Sequence, residues 1–165
     1  MATTTEDGSV TFESQTLNLV CIDSSKHSKR ALEWYFDNQH RDGDQVGLVH
    51  VFVPPDLPAF GIYAGGMAPI NMYQETLQAG IEDSKKIVEE YKAYCLSKGV
   101  SPKYFVQSLN DSIGHTICDI AKQNKAKMMV LGQRGLGAIR RTFLGSVSDY
   151  VIHHAHIPVL IVPPK

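Results

Sequence analysis

What this chain lacks narrows its class before any motif is read. Cysteine is scarce: Cys21, Cys95 and Cys118 are widely spaced and set in apolar segments. An odd, dispersed set builds no disulfide frame and has no zinc spacing, so all three read as reduced core residues. Charge of one sign is equally absent, since 16 basic and 17 acidic side chains lie interspersed and leave a formal net charge of −1. Neither nucleic acid nor a membrane is implied as a partner. No apolar run approaches the length of a membrane span. The opening Met1-Ala-Thr-Thr-Thr-Glu-Asp-Gly has neither the basic start nor the apolar stretch of a secretory leader, so a cytoplasmic protein is expected. There is no internal repeat and no interdomain linker, and 165 residues suit one domain.

What is present is an alternation of two hydrophobic patterns. Short apolar runs at 16–22, 46–53, 104–106, 128–131 and 157–162 are nearly continuous, as in strands of a parallel sheet buried on both faces. Between them apolar residues recur at helical spacing. Ala31, Leu32, Tyr35 and Phe36 follow the capping cluster Asp23-Ser24-Ser25. Tyr73, Leu77, Ile81, Ser84, Val88, Tyr91 and Cys95 mark a long helix closed by Gly99. Ile113, Ile117, Ile120 and Ala121 follow Asn110-Asp111-Ser112, and Val147, Tyr150, Val151 and His154 make the last helix. The order β-α-β-α-β-α-β-α-β argues a single-domain, doubly wound α/β sheet with helices on both faces. Ligands of such sheets bind outside the carboxyl ends of the strands, where strand order reverses. Residues 1–15 read as a flexible tail and 16–165 as the domain. The irregular segment 54–69, with Phe60, Ile62, Tyr63 and Met67, is either a surface excursion or a lid or docking loop.

The most specific signal is a glycine series, Gly132, Gly135, Gly137 and Gly145, running from the end of an apolar strand to Ser146-Val147-Ser148 at the start of a helix. Glycine lets backbone amides approach an anion, and a helix start adds unpaired donors and a positive dipole end. The order is not the G-x-G-x-x-G of dinucleotide folds. It is not a P-loop either, since Ala138 stands where lysine is required. The remaining spacing, G-x2-G-x9-G-S from Gly132, Gly135 and Gly145 to Ser146, resembles the nucleotide-binding branch of the universal stress protein family over residues 16–162.

That resemblance implies a five-stranded parallel sheet of order 3-2-1-4-5, the adenine-nucleotide-hydrolase-like fold, with ATP and Mg2+ at the switch point. It implies a stress-response binder or sensor with slow or no hydrolysis, dimeric through the last strand at 158–162. The implied nucleotide residues are Cys21, Ile22, Asp23, Val51, Leu131, Gly132, Gly135, Gly145, Ser146, Val147 and Ser148. Asp23 has two readings, a helix N-cap or an acceptor for ribose or base. At residues 21–22 the family often has Pro-Thr or Ala-Val, and here Cys21-Ile22 leaves backbone contacts but no hydroxyl. Val51 and Leu131 suit a base pocket and equally any buried strand. Ser146 and Ser148 are phosphate donors or simple caps, and Arg134, Arg140 and Arg141 either offset phosphate charge or are ordinary loop cations.

Other chemistry is less well supported by the residues. His153, His154 and His156 cannot readily aim three nitrogens at one ion, because adjacent helical positions diverge by about 100°. His27 has the spacing to pair with Asp23, but no serine or cysteine stands in nucleophile context, and no G-x-S-x-G elbow occurs. A genuine ATPase or phosphotransferase needs a base and a metal-holding acid, for which only Asp23 offers. A nucleotidylyltransferase would need an H-x-G-H segment where Asp23-Ser24-Ser25-Lys26-His27 stands, and a nucleotide-free interaction module would have no use for the glycines.

Overall fold

The computed structural model describes residues 2–4, 10–12, 16–56, 70–133 and 144–164. Near the N-terminus β1 (Ala2–Thr4) and β2 (Val10–Phe12) form an antiparallel pair. The domain then runs β3 (Leu17–Cys21), α1 (Lys26–Asn38), β4 (Gln45–Phe52), α2 (Ile70–Ser97), β5 (Lys103–Ser108), α3 (Ile113–Gln123), β6 (Met128–Gly132), α4 (Ser146–His154) and β7 (Val159–Val162). Five strands form one sheet in the order β5-β4-β3-β6-β7, every neighbour parallel. Counted from β3 this is 3-2-1-4-5, and the order reverses between β3 and β6.

Period-two alternation divides the strand side chains between two helical layers. Val20, Ile22, Leu48 and Val130 pack under α1 and α2 with Ala31, Leu32, Tyr35, Tyr91 and Cys95. Leu19, Val49, Met129 and Leu131 pack under α3 and α4 with Ile117, Ile120, Ala121 and Val151. Leu19, Val20, Leu48, Val49, Met129 and Val130 are at most 1% exposed, which is why these strands read as unbroken apolar runs. Each such side chain contributes about 1.5–3 kcal/mol of burial.

The third strand of the sheet departs from that expectation. β5 lies at the edge, with Tyr104 41% and Val106 52% exposed. α2 lies across β4 and leaves this face of β5 partly open, with Lys92 Nζ placed 5.7 Å over the Tyr104 ring.

Helix ends follow local chemistry. Ser25 caps α1 and Ser112 caps α3, accepting from the amides of Ser28 (3.4 Å) and His115 (3.2 Å). Gly99, at φ +76°, turns the chain out of α2 as expected, with Val100 N donating to Cys95 O at 3.0 Å.

Candidate functional site

The candidate site begins where β3 stops. Ile22 N donates to Val49 O at 2.8 Å, and Asp23 follows. Its Oδ1 accepts from Ser25 N at 2.9 Å and from Ser28 Oγ at 2.6 Å, while its carbonyl accepts from the Tyr91 hydroxyl at 3.0 Å. Asp23 is therefore not the N-cap of α1, a role Ser25 fills. Its carboxylate closes an Asx turn that sets the direction of the chain from β3 into α1. Burial pushes the Tyr91 hydroxyl up to about 12, so it stays a protonated donor.

Four of the expected residues come together on one face. Cys21, Val51, Leu131 and Val147 pack in a single apolar cluster with Ile113 and Ile117, at the carboxyl ends of β3, β4 and β6 and the start of α4. Ile22 does not join them. Alternation sends its side chain to the opposite face, 4% exposed, so only its backbone can meet a ligand in the crevice. The Cys21 thiol is pushed up to about 12, by enclosure first and then by Cys118 and Asp23. It is a neutral wall, not a nucleophile.

The glycines differ in what they do. A Cβ at Gly132 would strike the carbonyl of His27 and come within 3.0 Å of Ser28 N, so Gly132 lets the N-terminal end of α1 pack against β6. No left-handed φ is involved there. Gly145 is the N-cap of α4, and a Cβ on it would meet nothing within 4 Å among the described residues. The first bond of α4 is Asp149 N to Gly145 O at 2.9 Å, so the amides of Ser146, Val147 and Ser148 precede the helical ladder. Ser146 is exposed and Ser148 buried. Gly135, Gly137, Arg134, Arg140 and Arg141 lie outside the described residues, as do residues 57–69 of the irregular segment.

Three residues escaped the sequence reading. Ser28 and Tyr91 hold Asp23, and Arg30 Nη2 donates to Gln133 O (3.1 Å) and Val162 O (3.3 Å), setting a cation at the ends of β6 and β7. Nothing local marks Tyr91 or Arg30, because their partners are 68 and 103 or more residues away. The Asp-x-Ser of an Asx turn was the one available local sign.

The C-terminal histidines point elsewhere. His153 Nδ1 donates to Asp149 O at 2.8 Å and His154 Nδ1 to Tyr150 O at 2.7 Å, and His154 stacks on Tyr150 at 4.0 Å. Among the described residues no three His, Cys, Asp or Glu side chains are grouped to hold a metal. A cavity of about 390 Å3 lies on the other side of the sheet, beneath α2, lined by Phe52, Ile81, Val88 and Val106. Another, about 450 Å3, opens at the amino ends of the strands, the end at which open α/β sheets do not bind. Among the described residues no helix is long and apolar enough to cross a membrane.

Fold and site together define a doubly wound α/β protein whose strand order reverses between β3 and β6, with an apolar cluster and the N-terminus of α4 at the carboxyl end of the sheet. The chain belongs to the universal stress protein family, whose model matches residues 19–163. It is 32% identical over 149 residues to the universal stress protein Sll1388 of Synechocystis, covering 87% of this chain and 95% of that protein. Against a universal stress protein of Mycolicibacterium smegmatis it is 31% identical over 146 residues, 87% of this chain but only 47% of the relative. The chain thus spans about half of that relative and nearly all of the cyanobacterial one. Among solved structures, the protein MJ0577 superposes with a TM-score of 0.73 at 21% identity, over 91% of this chain and 96% of that one. A universal stress protein family protein of Arabidopsis thaliana with AMP bound gives 0.66 at 23%, over 91% and 92%. A universal stress protein in complex with cAMP gives 0.60 at 18%, over 89% and 96%.

Proposed function

We propose that this protein binds ATP at the carboxyl ends of β3 and β6, acting as a nucleotide-dependent binder or sensor in the stress response with slow or no hydrolysis. The observation that carries the reading is the meeting of two unlike surfaces at one end of the sheet. One is the apolar wall of Cys21, Val51, Leu131 and Val147. The other is the open start of α4 at Ser146, Val147 and Ser148. The wall suits a purine, and the amides with the helix dipole suit phosphates. Val147 belongs to both. Asp23, at the end of β3, is the acceptor we assign to a ribose hydroxyl, and Gly135 enters through the motif alone. Mg2+ would arrive with the nucleotide, held by phosphates and water. The relatives crystallised with AMP and with cAMP support the adenine class.

Calorimetric titration and thermal melts with ATP, ADP and AMP test this. At a Kd of about 10 μM, 1 mM nucleotide adds about 2.7 kcal/mol and raises the melting temperature by about 5–10 °C. Flat melts and no binding heat for any of the three would overturn the reading.

Binding is favoured over catalysis because the one candidate base, Asp23, already accepts from Ser25 N and Ser28 Oγ. A carboxylate so engaged has fewer lone pairs left to orient an attacking water. Hydrolysis should run below about 0.1 s⁻¹, against an enzyme median of about 10 s⁻¹. Turnover of several per second that Asp23→Asn removes with affinity intact would make the protein an ATPase. Three free cysteines, two of them raised to about 12 by burial, fit a reducing, cytoplasmic setting.

A further inference from the structure

The β3–β4 ladder ends at Ile22 in an unusual way. Ile22 N donates to Val49 O, and in a continuing parallel ladder Ile22 O would next accept from the amide of Val51. It accepts instead from the side chain of His50, Nδ1 to O at 3.1 Å. A carbonyl only accepts, so Nδ1 carries the proton. The other ring nitrogen, Nε2, lies 3.1 Å from Ser84 Oγ on α2, and Ser84 Oγ lies 2.9 Å from Gly80 O on the same helix. His50 and Ser84 are 7% and 8% exposed. One residue further along, Asp23 O accepts from Tyr91, which also lies 2.6 Å from Ser28 Oγ. Ser84 and Tyr91 are seven positions apart, two turns of α2, and so share its inner face.

Two consecutive carbonyls beyond the end of β3, Ile22 O and Asp23 O, are thus each reached by a polar chain rooted in α2, and Asp23 O accepts as well from Ser28 Oγ on α1 at 2.9 Å. Both chains are buried, where a lost partner is costly. Neither supplies a bond of the β3–β4 ladder, whose last pair is Cys21–Val49. We propose that α2 positions the nucleotide-contacting segment Ile22–Asp23 through Ser84–His50 and through Tyr91, making these three positioning residues for the ligand. The inference rests on the adenine-nucleotide reading above and extends it to a helix that contributes no residue to the crevice wall. Its consequence is coupling, since by linkage a nucleotide at the crevice also stabilises the seating of α2.

The test compares the wild type with Tyr91→Phe, Ser84→Ala and the double variant. ATP affinity is measured by calorimetry at a temperature well below every melting midpoint, and amide exchange is measured without nucleotide. The expected result is ATP affinity weaker by about five- to tenfold in each single variant and by roughly the product in the double. Exchange should speed at Ser25 N, which is bonded to Asp23 Oδ1, with no change at Met129 N, which is bonded to Pro158 O. A lower melting temperature with unchanged affinity would mean a packing role only and overturn the inference, as would unchanged exchange at Ser25. Wild-type protein that binds no adenine nucleotide would remove the underlying reading and this inference with it. Variants that match a wild type that does bind would remove this inference alone.

Discussion

A Cβ at Gly132 would collide with the main-chain carbonyl of His27, whereas a Cβ at Gly145 would meet nothing within 4 Å among the described residues. The two glycines of the motif therefore answer differently to the same substitution. Gly132→Val forces backbone to move, so its cost should reach or exceed the roughly 1–3 kcal/mol typical of overpacking, and loss of binding would follow loss of α1 packing. Gly145→Val, at φ −65°, should leave the melting temperature of the free protein unchanged and weaken ATP binding about tenfold or more by crowding the amides of α4. Melting curves beside calorimetry separate the two.

The buried hydroxyls and thiols make a second prediction at this scale. Burial raises Tyr35 and Tyr91 from 10.0 to about 12, and Cys21 and Cys95 from 9.0 to about 12. The folded state holds these protons more tightly, so above pH 9 the unfolded chain binds fewer of them and stability falls as pH rises. Their contribution is complete below pH 9 and is lost between pH 9 and about pH 12. Melting midpoints over this range should drop, and Tyr35→Phe and Tyr91→Phe should flatten the part above pH 10. Tyrosinate absorbance should show Tyr35 and Tyr91 ionising well above pH 10, and Tyr35→Phe with Tyr91→Phe should remove that late rise.

Among the elements, α4 depends on α3 for its place. A Cβ at Gly114 would stand 2.7–2.9 Å from Cδ1, Cβ and Cγ of Tyr150, and Tyr150 also reaches His115 Nδ1 at 3.3 Å. The root of the tyrosine is in the way, so it cannot yield by rotating its ring. Gly114→Ala should push α4 away from α3 at about 1–3 kcal/mol and, on the proposed function, weaken ATP binding, because the start of α4 is the proposed phosphate site. Unchanged affinity in a destabilised Gly114→Ala would show that the helix start tolerates the shift. The positions of helix starts were legible in the chain, as Ser25, Ser112 and Gly145-Ser146 show. The sidedness of helices was not, and β5 reads as buried while lying half covered at the edge.

For the whole molecule, β7, the last strand of the sheet among the described residues, is the surface on which we infer a homodimer. Met129 N donates to Pro158 O and Gln133 N to Val162 O, so in a parallel strand residues 158, 160 and 162 face β6 and the amides of Val159 and Ile161 face outward. Lysine at 159 or 161 would be a poor probe, since both side chains pack in the α3–α4 cluster. Proline at 161 removes only an outward donor and keeps an apolar side chain. Ile161→Pro should therefore convert dimers to monomers with the far-ultraviolet circular dichroism retained, as read by light scattering. An unchanged mass would place any interface elsewhere.

The sequence by itself determined the order of the elements from β3 to β7 and the starts of α1, α3 and α4. These depend on periodicity and on residues adjacent in the chain: apolar runs for buried strands, Ser25 and Ser112 as caps, Gly99 as a stop, and a glycine spacing between a strand and a helix. Only the tertiary structure decided which residues share a surface. It sent Ile22 away from Cys21, gave Gly132 to the packing of α1, took the N-cap from Asp23, and set Ser28, Tyr91 and His50 around the Ile22–Asp23 backbone. Contacts between Asp23 and Tyr91 span 68 residues and exist only because α2 crosses the sheet at that place. No local pattern encodes that crossing, since it is settled by how whole helices share the two apolar faces of the sheet.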